Sequence, residues 1–349
     1  MSTSERLPRR RFLQGVAGAG AAVAGHNAAA SPTVEDEAAG GEGPARQAWI
    51  GTVSQDGLRA RDSDEMVDLL LERFDAIMGA KPDLICFPEM FQYSNTDAGR
   101  PAVRDAAEAP LGELGRRVAD YAKSHGCYAF YSGYTEEGGR FYNSAVLIDR
   151  GGAYVGAYHK MHPTIGEMEK GISPGPLDPP VFDTDFGRLG AQICFDIEWD
   201  DGWKKLADAG AEIVVWQSAF AGGRAINSLA ARNRYVVVTS CRKDTSKVCD
   251  VTGEVIAATG RFSRAVCAPV NLEKAFLHTW PYNRRFEEIH AKYGRKVRIH
   301  TLHEEEWSVI ESLSADVRVA DVLKEFEIDT YGELMARATR LQDAARRTS

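Results

Sequence analysis

A cysteine, a lysine and a glutamate each stand at or just past the end of an apolar run in this chain. Cys194 lies within GAQICFDIEW (190–199), Lys160 within AYHKMHPT (157–164), and Glu89 follows Pro88 in ICFPEMF (85–91). An ordinary thiol, with a pKa of about 8.5, is mostly protonated at neutral pH. A carboxylate beside it can take that proton as a general base, while an ammonium and a helix N-terminus favour the anion. Taken singly, each residue has an ordinary reading: a solvated loop glutamate, a surface lysine, a core cysteine. Their shared position at the C-terminal ends of strand-like runs sets them apart, because α/β folds place their sites there. A sharp strand-to-helix turn also exposes a nucleophile and aims the following N–H groups at developing charge.

Holding three such residues together requires alternating strands and helices, and the pattern supplies them. AWIGTV (48–53) reads as a strand, and DEMVDLLLERFDAIMGA (64–80) as a helix with Met66, Leu69, Leu70, Phe74, Ile77 and Met78 on one face. DLICF (83–87), a helix over 111–125, CYAFYSGY (127–134), FYNSAVLID (141–149) and AYVGAYHK (153–160) follow, with tight turns at Gly138-Gly139 and Gly151-Gly152. RLGAQICF (188–195), a helix near 200–210, EIVVWQS (212–218), a helix near 224–233 and YVVVTSC (235–241) complete the series. This alternation predicts an α/β protein with helices covering sheets. The two glycine turns imply antiparallel portions. No GxGxxG loop follows the first strand, so an all-parallel dinucleotide-binding sheet fits less well.

The ordered set FPEMF, YHKMHPT and GAQICFDIEW, with spacings of 71 and 34 residues between Glu89, Lys160 and Cys194, resembles the nitrilase, or carbon–nitrogen hydrolase, superfamily. YNSAVLIDRGG, ISPG (172–175), GAEIVVWQSAF (210–220) and AARNRYVVVTS (230–240) add lesser similarities, and the resemblance covers residues 47–270. It implies a four-layer α-β-β-α sandwich, assembly into homodimers or larger homo-oligomers, and a Glu89–Lys160–Cys194 triad working without metal or cofactor. In that triad Glu89 is the general base and acid. Lys160 and the Phe195 N–H stabilise the oxyanion, each donor worth about 3–4 kcal/mol of barrier. The resemblance also implies a second glutamate in the loop after the lysine. Glu167 and Glu169 both fall there, and Glu169, six positions before Gly175, matches the spacing to the Pro-Gly turn more closely. Two departures touch the pocket rim: WDDGW (199–203) stands where many relatives carry Pro-Glu, and Cys241 stands near a frequent asparagine. The implied substrate is a small-molecule amide or N-carbamoyl compound. Cys-Phe-Asp after the nucleophile looks like the amidase branches rather than the nitrilase branch. A nitrilase, an N-acyltransferase or a non-catalytic binding protein on the same fold are the alternatives.

The rest of the chain bounds these readings. With 42 Lys and Arg against 50 Asp and Glu, the net charge of −8 argues against a general nucleic-acid binder. No run of about 18 apolar residues is present to span a membrane. Residues 1–30 read as a twin-arginine export signal, with Arg9, Arg10 and Arg11 ahead of Phe12-Leu13 and a Gly/Ala-rich stretch. That predicts a periplasmic or secreted protein, with 31–46 as a flexible leader. Cys86, Cys127 and Cys267 read as small buried hydrophobes, while Cys241 and Cys249 could meet across a hairpin. His159 and His162 flank Lys160, and His300 and His303 form a second HxxH, but no further ligands stand at metal-binding spacing. Asp196 and Glu198 read as partners of helix N-terminal amides or as pocket lining. Trp216 reads as core, whereas Phe195 and Trp199 are candidates for orienting substrate. Residues 271–349 are charged and read as a mostly helical extension, with KVRIHTL (296–302) as a candidate strand.

Overall fold

The computed structural model describes residues 44–348. The export segment and most of the leader lie outside the described residues. The chain runs β1 (Gln47–Val53), α1 (Ser63–Met78), β2 (Leu84–Cys86), α2 (Val103–Ala106), α3 (Glu113–His125), β3 (Tyr128–Glu137), β4 (Arg140–Ile148) and β5 (Tyr154–His159). It continues with α4 (Ile165–Met168), β6 (Phe182–Asp183), β7 (Arg188–Ile193), α5 (Asp201–Asp208), β8 (Ile213–Ser218), α6 (Gly223–Asn233), β9 (Val236–Cys241), β10 (Lys247–Cys249) and β11 (Val255–Ala258). Strand β12 (Ala265–Asn271) returns to pair antiparallel with β1.

Two six-stranded sheets result, in the orders β12-β1-β2-β3-β4-β5 and β11-β10-β9-β8-β7-β6. Each has a parallel centre, β1-β2-β3 in one and β7-β8-β9 in the other, with antiparallel strands outside it. The period-two pattern of the strands decides the layering. Along β8, Ile213 and Val215 face the other sheet and pack with Leu189, Ile193, Ile50, Leu84 and Phe130. Val214 and Trp216 face outward and pack with Trp203 and Leu206 of α5 and Ile226 of α6. On the other side, Val67, Leu70 and Phe74 of α1 and Val118 and Ala122 of α3 cover Ile85, Ala129 and Val146. The order is therefore helix, sheet, sheet, helix. Each fully buried Val, Leu, Ile or Phe among these contributes about 1.5–3 kcal/mol of burial.

Local signals set the ends of the elements. Asp62 caps α1 by accepting from the Glu65 amide, and Gly126 ends α3 in the left-handed region at φ +65°. Gly190 in β7 lets α5 lie close, since a Cβ there would meet Leu206 Cδ2 at 2.7 Å. Buried polar groups tie the sheets together: Thr52 Oγ1 donates to the Thr239 carbonyl at 2.6 Å, and Ser240 Oγ to the carbonyls of Val53 (3.0 Å) and Cys86 (2.7 Å).

Three expectations are corrected here. The leader ends before Arg46, whose guanidinium is bound at 2.7 and 2.8 Å to both carboxylate oxygens of Glu212. Cys241 and Cys249 do lie on adjacent antiparallel strands, but the register sets Cys249 opposite Val237, and all six cysteines are free thiols. The C-terminal extension holds the strand read at 296–302 and two further strands that the mostly helical reading did not include. Strands β13 (Lys274–His278), β14 (Val297–Leu302) and β15 (Trp307–Ser312) form an antiparallel sheet with β15 in the centre. Helices α7 (Thr279–Tyr282), α8 (Phe286–Tyr293), α9 (Val319–Glu325) and α10 (Tyr331–Thr348) accompany it. Leu277, Val297 and Ile310 from the sheet, with Ile289, Val322 and Leu323 from the helices, make a separate small core.

Candidate active site

The ends of β2, β5 and β7 deliver Glu89, Lys160 and Cys194 to one cleft of about 300 Å³. Each delivery has a local cause. Gln217 in β8 donates from Nε2 to the carbonyls of Phe87 (2.8 Å) and Phe130 (3.1 Å), which anchors the chain just before Pro88-Glu89. Lys160 is held through its backbone, donating to the Asn143 carbonyl at 2.9 Å and accepting from the Gly175 amide at 2.8 Å. Only glycine fits at 175, because a Cβ there would meet the His159 carbonyl oxygen at 2.2 Å. Cys194 directly follows β7 and opens a short 3-10 turn (Cys194–Glu198) with φ at +43°, a left-handed conformation costly for a side-chain-bearing residue.

That turn is fixed from below by Asp196, which is fully buried. Its Oδ2 accepts from the Ile193 amide (2.9 Å) and the Tyr158 hydroxyl (2.7 Å). Its Oδ1 accepts from the amide of His162 (2.8 Å) and lies 3.1 Å from that residue's Nδ1. Asp196 therefore ties the cysteine turn to the loop that carries Lys160. Trp216, buried in the core, donates from Nε1 to the Cys194 carbonyl at 3.2 Å. We predict that Asp196→Ala lowers unfolding free energy by about 3 kcal/mol, because several buried donors lose their acceptor. Urea unfolding checks this, and a loss under about 0.5 kcal/mol, the level of an ordinary surface change, would contradict it.

The reacting groups form a buried charge network. Lys160 is 1% and Glu89 4% exposed. Lys160 Nζ donates to Glu89 Oε1 at 3.1 Å and to Glu167 Oε2 at 2.8 Å. Asn143 Nδ2 bridges the two carboxylates, at 3.0 Å to Glu89 and 2.8 Å to Glu167. Arg242 Nη2 reaches Glu89 Oε2 at 3.4 Å, and its Nη1 donates to Ser94 Oγ at 2.7 Å. Burial opposes the charge on Lys160, but the carboxylates of Glu89 and Glu167 outweigh it and raise the ammonium pKa. Burial likewise opposes ionisation of Glu167, and Lys160 with Asn143 outweighs it, so this carboxyl stays below its ordinary value. Burial and then the Glu89 charge push the Cys194 thiol up to about 12, with Lys160 opposing them. The site thereby favours the neutral thiol over the thiolate.

Glu167, rather than Glu169, is the loop carboxylate that the structure brings to Lys160. Glu169 is exposed at the C-terminal end of α4. The cause is a capping box: Thr164 Oγ1 accepts from the Glu167 amide at 3.2 Å while Glu167 Oε2 accepts from the Thr164 amide at 2.8 Å. This turns the Glu167 carboxylate back over the lysine. Phe195 and Trp199 do not line the cleft with their side chains. Trp199, 40% exposed, stacks on His162 at 4.3 Å, and Phe195 meets the Trp199 ring edge-on at 5.0 Å. Asn143, Gln217 and Arg242 carry roles that the sequence reading did not assign. Asn143 and Gln217 had a visible signal, an amide side chain inside an apolar strand.

Among the described residues no cluster of three or more His, Cys, Asp or Glu is arranged to hold a metal ion. His159 and His162 are turned to separate partners, His159 to Glu137 and Ser144, and His162 to Asp196. What the cleft assembles is a thiol, a buried carboxylate and an ammonium fixed between two carboxylates.

A helix–sheet–sheet–helix sandwich with a cysteine at a strained strand end, facing a paired lysine and glutamate, defines a class of thiol-bearing α/β proteins. The family model described as Carbon-nitrogen hydrolase matches residues 45–275, and the chain belongs to that family. It is similar to a protein described as "Hydrolase in pqqF 5'region" from Pseudomonas protegens, 36% identical over 147 residues, which are 41% of this chain and 50% of that one. It is 29% identical over 181 residues to a nitrilase from Pyrococcus abyssi, covering 50% of this chain and 68% of that one. An omega-amidase from Homo sapiens is 27% identical over 225 residues, 57% of this chain and 79% of that one. The chain spans about half the length of several curated relatives it matches, 50% for the Pseudomonas protein and 46% for a deaminated glutathione amidase from Mus musculus. Among solved structures, an amidase from Nesterenkonia sp. aligns with a TM-score of 0.57 at 19% identity, over 71% of this chain and 97% of that one. A carbon-nitrogen hydrolase from Helicobacter pylori G27 aligns at 0.56 and 19%, over 71% and 94%. These structural likenesses show the fold.

Proposed function

We propose that this chain is a thiol amidohydrolase that cleaves a non-peptide C–N bond of a small amide or N-carbamoyl compound. The observation that carries this reading is the direct Glu89–Lys160 contact in the same cleft as Cys194. Glu89 takes the thiol proton as sulfur attacks the carbonyl carbon. Negative charge then develops on oxygen, toward Lys160 and the Phe195 amide. Glu89 returns the proton to the nitrogen, the C–N bond breaks, and amine leaves behind a thioester on Cys194. Water, losing a proton to Glu89, attacks that thioester and releases the carboxylic or carbamic acid with the thiol restored. One amide and one water give one acid and one amine.

Asn143, Glu167 and Arg242 are positioning residues in this scheme. Asn143 holds the two carboxylates apart on one amide, Glu167 fixes the lysine, and Arg242 offsets the Glu89 charge. The high thiol pKa supports a proton transfer coupled to attack, since a base poised beside a neutral thiol supplies the anion only when needed.

Amides are the expected substrates over nitriles. An amide needs a proton delivered to its leaving amine, and Glu89 holds one after taking it from sulfur. A nitrile gives a thioimidate that must first gain water and then lose ammonia, so it asks more of the same groups. Ammonia release from matched amide and nitrile pairs, compared as kcat/KM, tests this. A higher value for the amide in each pair is expected, and consistently faster nitrile turnover would overturn it.

A further inference from the structure

The backbone directly after Glu89 is strained and anchored twice. Met90 is buried and stands at φ +48°, in the left-handed region. Its N–H donates to Ser132 Oγ at 3.1 Å, and its carbonyl accepts from Ser94 Oγ at 3.1 Å. Both serines are buried, and neither lines the cleft. Each reaches a group that holds one oxygen of the Glu89 carboxylate. The Ser132 hydroxyl donates to Asn143 Oδ1 at 3.4 Å, and Asn143 Nδ2 donates to Glu89 Oε1 at 3.0 Å. On the other side Arg242 Nη1 donates to Ser94 Oγ at 2.7 Å, while its Nη2 reaches Glu89 Oε2 at 3.4 Å. Two arms of hydrogen bonds thus run from the backbone of Met90 to the two oxygens of the carboxylate before it.

We propose that Ser132 and Ser94 are positioning residues that fix the direction of the Glu89 carboxylate in the cleft it shares with Cys194. This rests on the amidohydrolase reading and says how its base is aimed. An asparagine amide has a donor end and an acceptor end of nearly equal shape, so its neighbours decide which end faces which group. The Met90 N–H fills an acceptor site of Ser132, and the serine proton goes to Asn143. That sets Oδ1 on the serine and turns Nδ2 to Glu89 and Glu167. Without the hydroxyl, Oδ1 loses its donor and the amide tilts away from the carboxylates. Ser94 accepts from one end of the guanidinium, which leaves the other end facing Oε2. A carboxylate held at both oxygens keeps one direction. Proton transfer depends on that direction, and a misplacement of about 1 Å costs on the order of 100-fold.

The test replaces each serine by alanine and measures amide turnover in the wild-type and Glu89→Gln backgrounds. In the wild-type background each substitution is expected to lower kcat about tenfold with KM nearly unchanged, the scale of one hydrogen bond. In Glu89→Gln, where no carboxylate is left to aim, the same substitutions should lower kcat by less than about twofold further. A serine that only supports the fold would cost the same in both backgrounds. Equal losses, or a wild-type kcat in both alanine variants, would overturn the proposal. If Ser132→Ala does not fold, Ser94→Ala carries the same comparison on the other arm. Nitrogen-15 NMR of the Asn143 side-chain amide, assigned by its loss in Asn143→Asp, separates the positioning from the chemistry. Its protons should exchange at least about tenfold faster in Ser132→Ala than in wild type, even where no amide is hydrolysed. Faster exchange without turnover by wild type would count against the amidohydrolase reading alone. Unchanged exchange would count against the Ser132 arm.

Discussion

Cys194→Ala is expected to lower amide turnover on the order of 10⁵-fold while the protein stays folded, the scale seen when a covalent nucleophile is removed. The substitution takes one sulfur atom from a cleft wall. It leaves untouched the groups that hold the turn, Asp196 below it and Trp216 on its carbonyl. Alanine meets the φ of +43° at this position with about the same steric cost as cysteine, so the backbone gains no new strain. Steady-state release of amine and a thermal melt of the same sample measure both halves of the expectation. The pair of proteins also reports the thiol. With its pKa pushed up to about 12, Cys194 binds its proton throughout the neutral range. The difference in thiolate absorbance between wild type and variant should therefore stay near zero at neutral pH and grow only in strong alkali. A variant that kept substantial turnover would exclude the thiol as nucleophile.

Glu89→Gln is expected to slow amide hydrolysis by about 10³-fold or more, near the upper range for a positioned acid–base group. Glutamine keeps the shape and can still accept from Lys160 or Asn143, but it cannot take a proton from sulfur or return one to nitrogen. Both half-reactions need that exchange. An activated ester separates them, because its leaving group departs without protonation. With such an ester the variant should still acylate faster than it hydrolyses the thioester, so acyl-enzyme accumulates. With an amide it should not. The Lys160 ammonium retains Glu167 as a partner at 2.8 Å in the variant, which limits the loss of stability. Near-native amide turnover across pH in Glu89→Gln would remove this carboxylate from the reaction.

The layered fold was legible because its strands are unambiguous. Ile213-Val214-Val215-Trp216 can be read as a strand buried on both faces, and the structure divides those residues between the two cores. The Gly138-Gly139 turn was legible for the same kind of reason, a local backbone demand met by glycine. Glu167 shows where reading by spacing fails. Its distance from Gly175 favoured Glu169, whereas Thr164-x-x-Glu167 is a local hydrogen-bonding signature that overrides it and turns the carboxylate onto the lysine. Arg242 was not legible at all. It follows the last residue of β9, and its approach to Glu89 depends on two sheets meeting, a contact across 153 positions of sequence. The β15 strand was missed because Trp307–Ser312 is a short run behind three consecutive glutamates in a charged region. Its pairing with β13 and β14 is what makes it a strand. Phe195 and Trp199 were aromatic residues next to a nucleophile, and adjacency in sequence did not place their rings in the cleft.

The central claim is a covalent acyl intermediate on one sulfur. Intact-mass spectrometry of the wild-type protein, rapidly quenched during turnover of a panel of small amides and N-carbamoyl compounds, tests it most directly. The account predicts a mass increase equal to the acyl group, located by peptide mapping on Cys194 and absent from Cys194→Ala. An acyl group found on another residue, or amide hydrolysis undiminished in Cys194→Ala with no adduct in either protein, would contradict it.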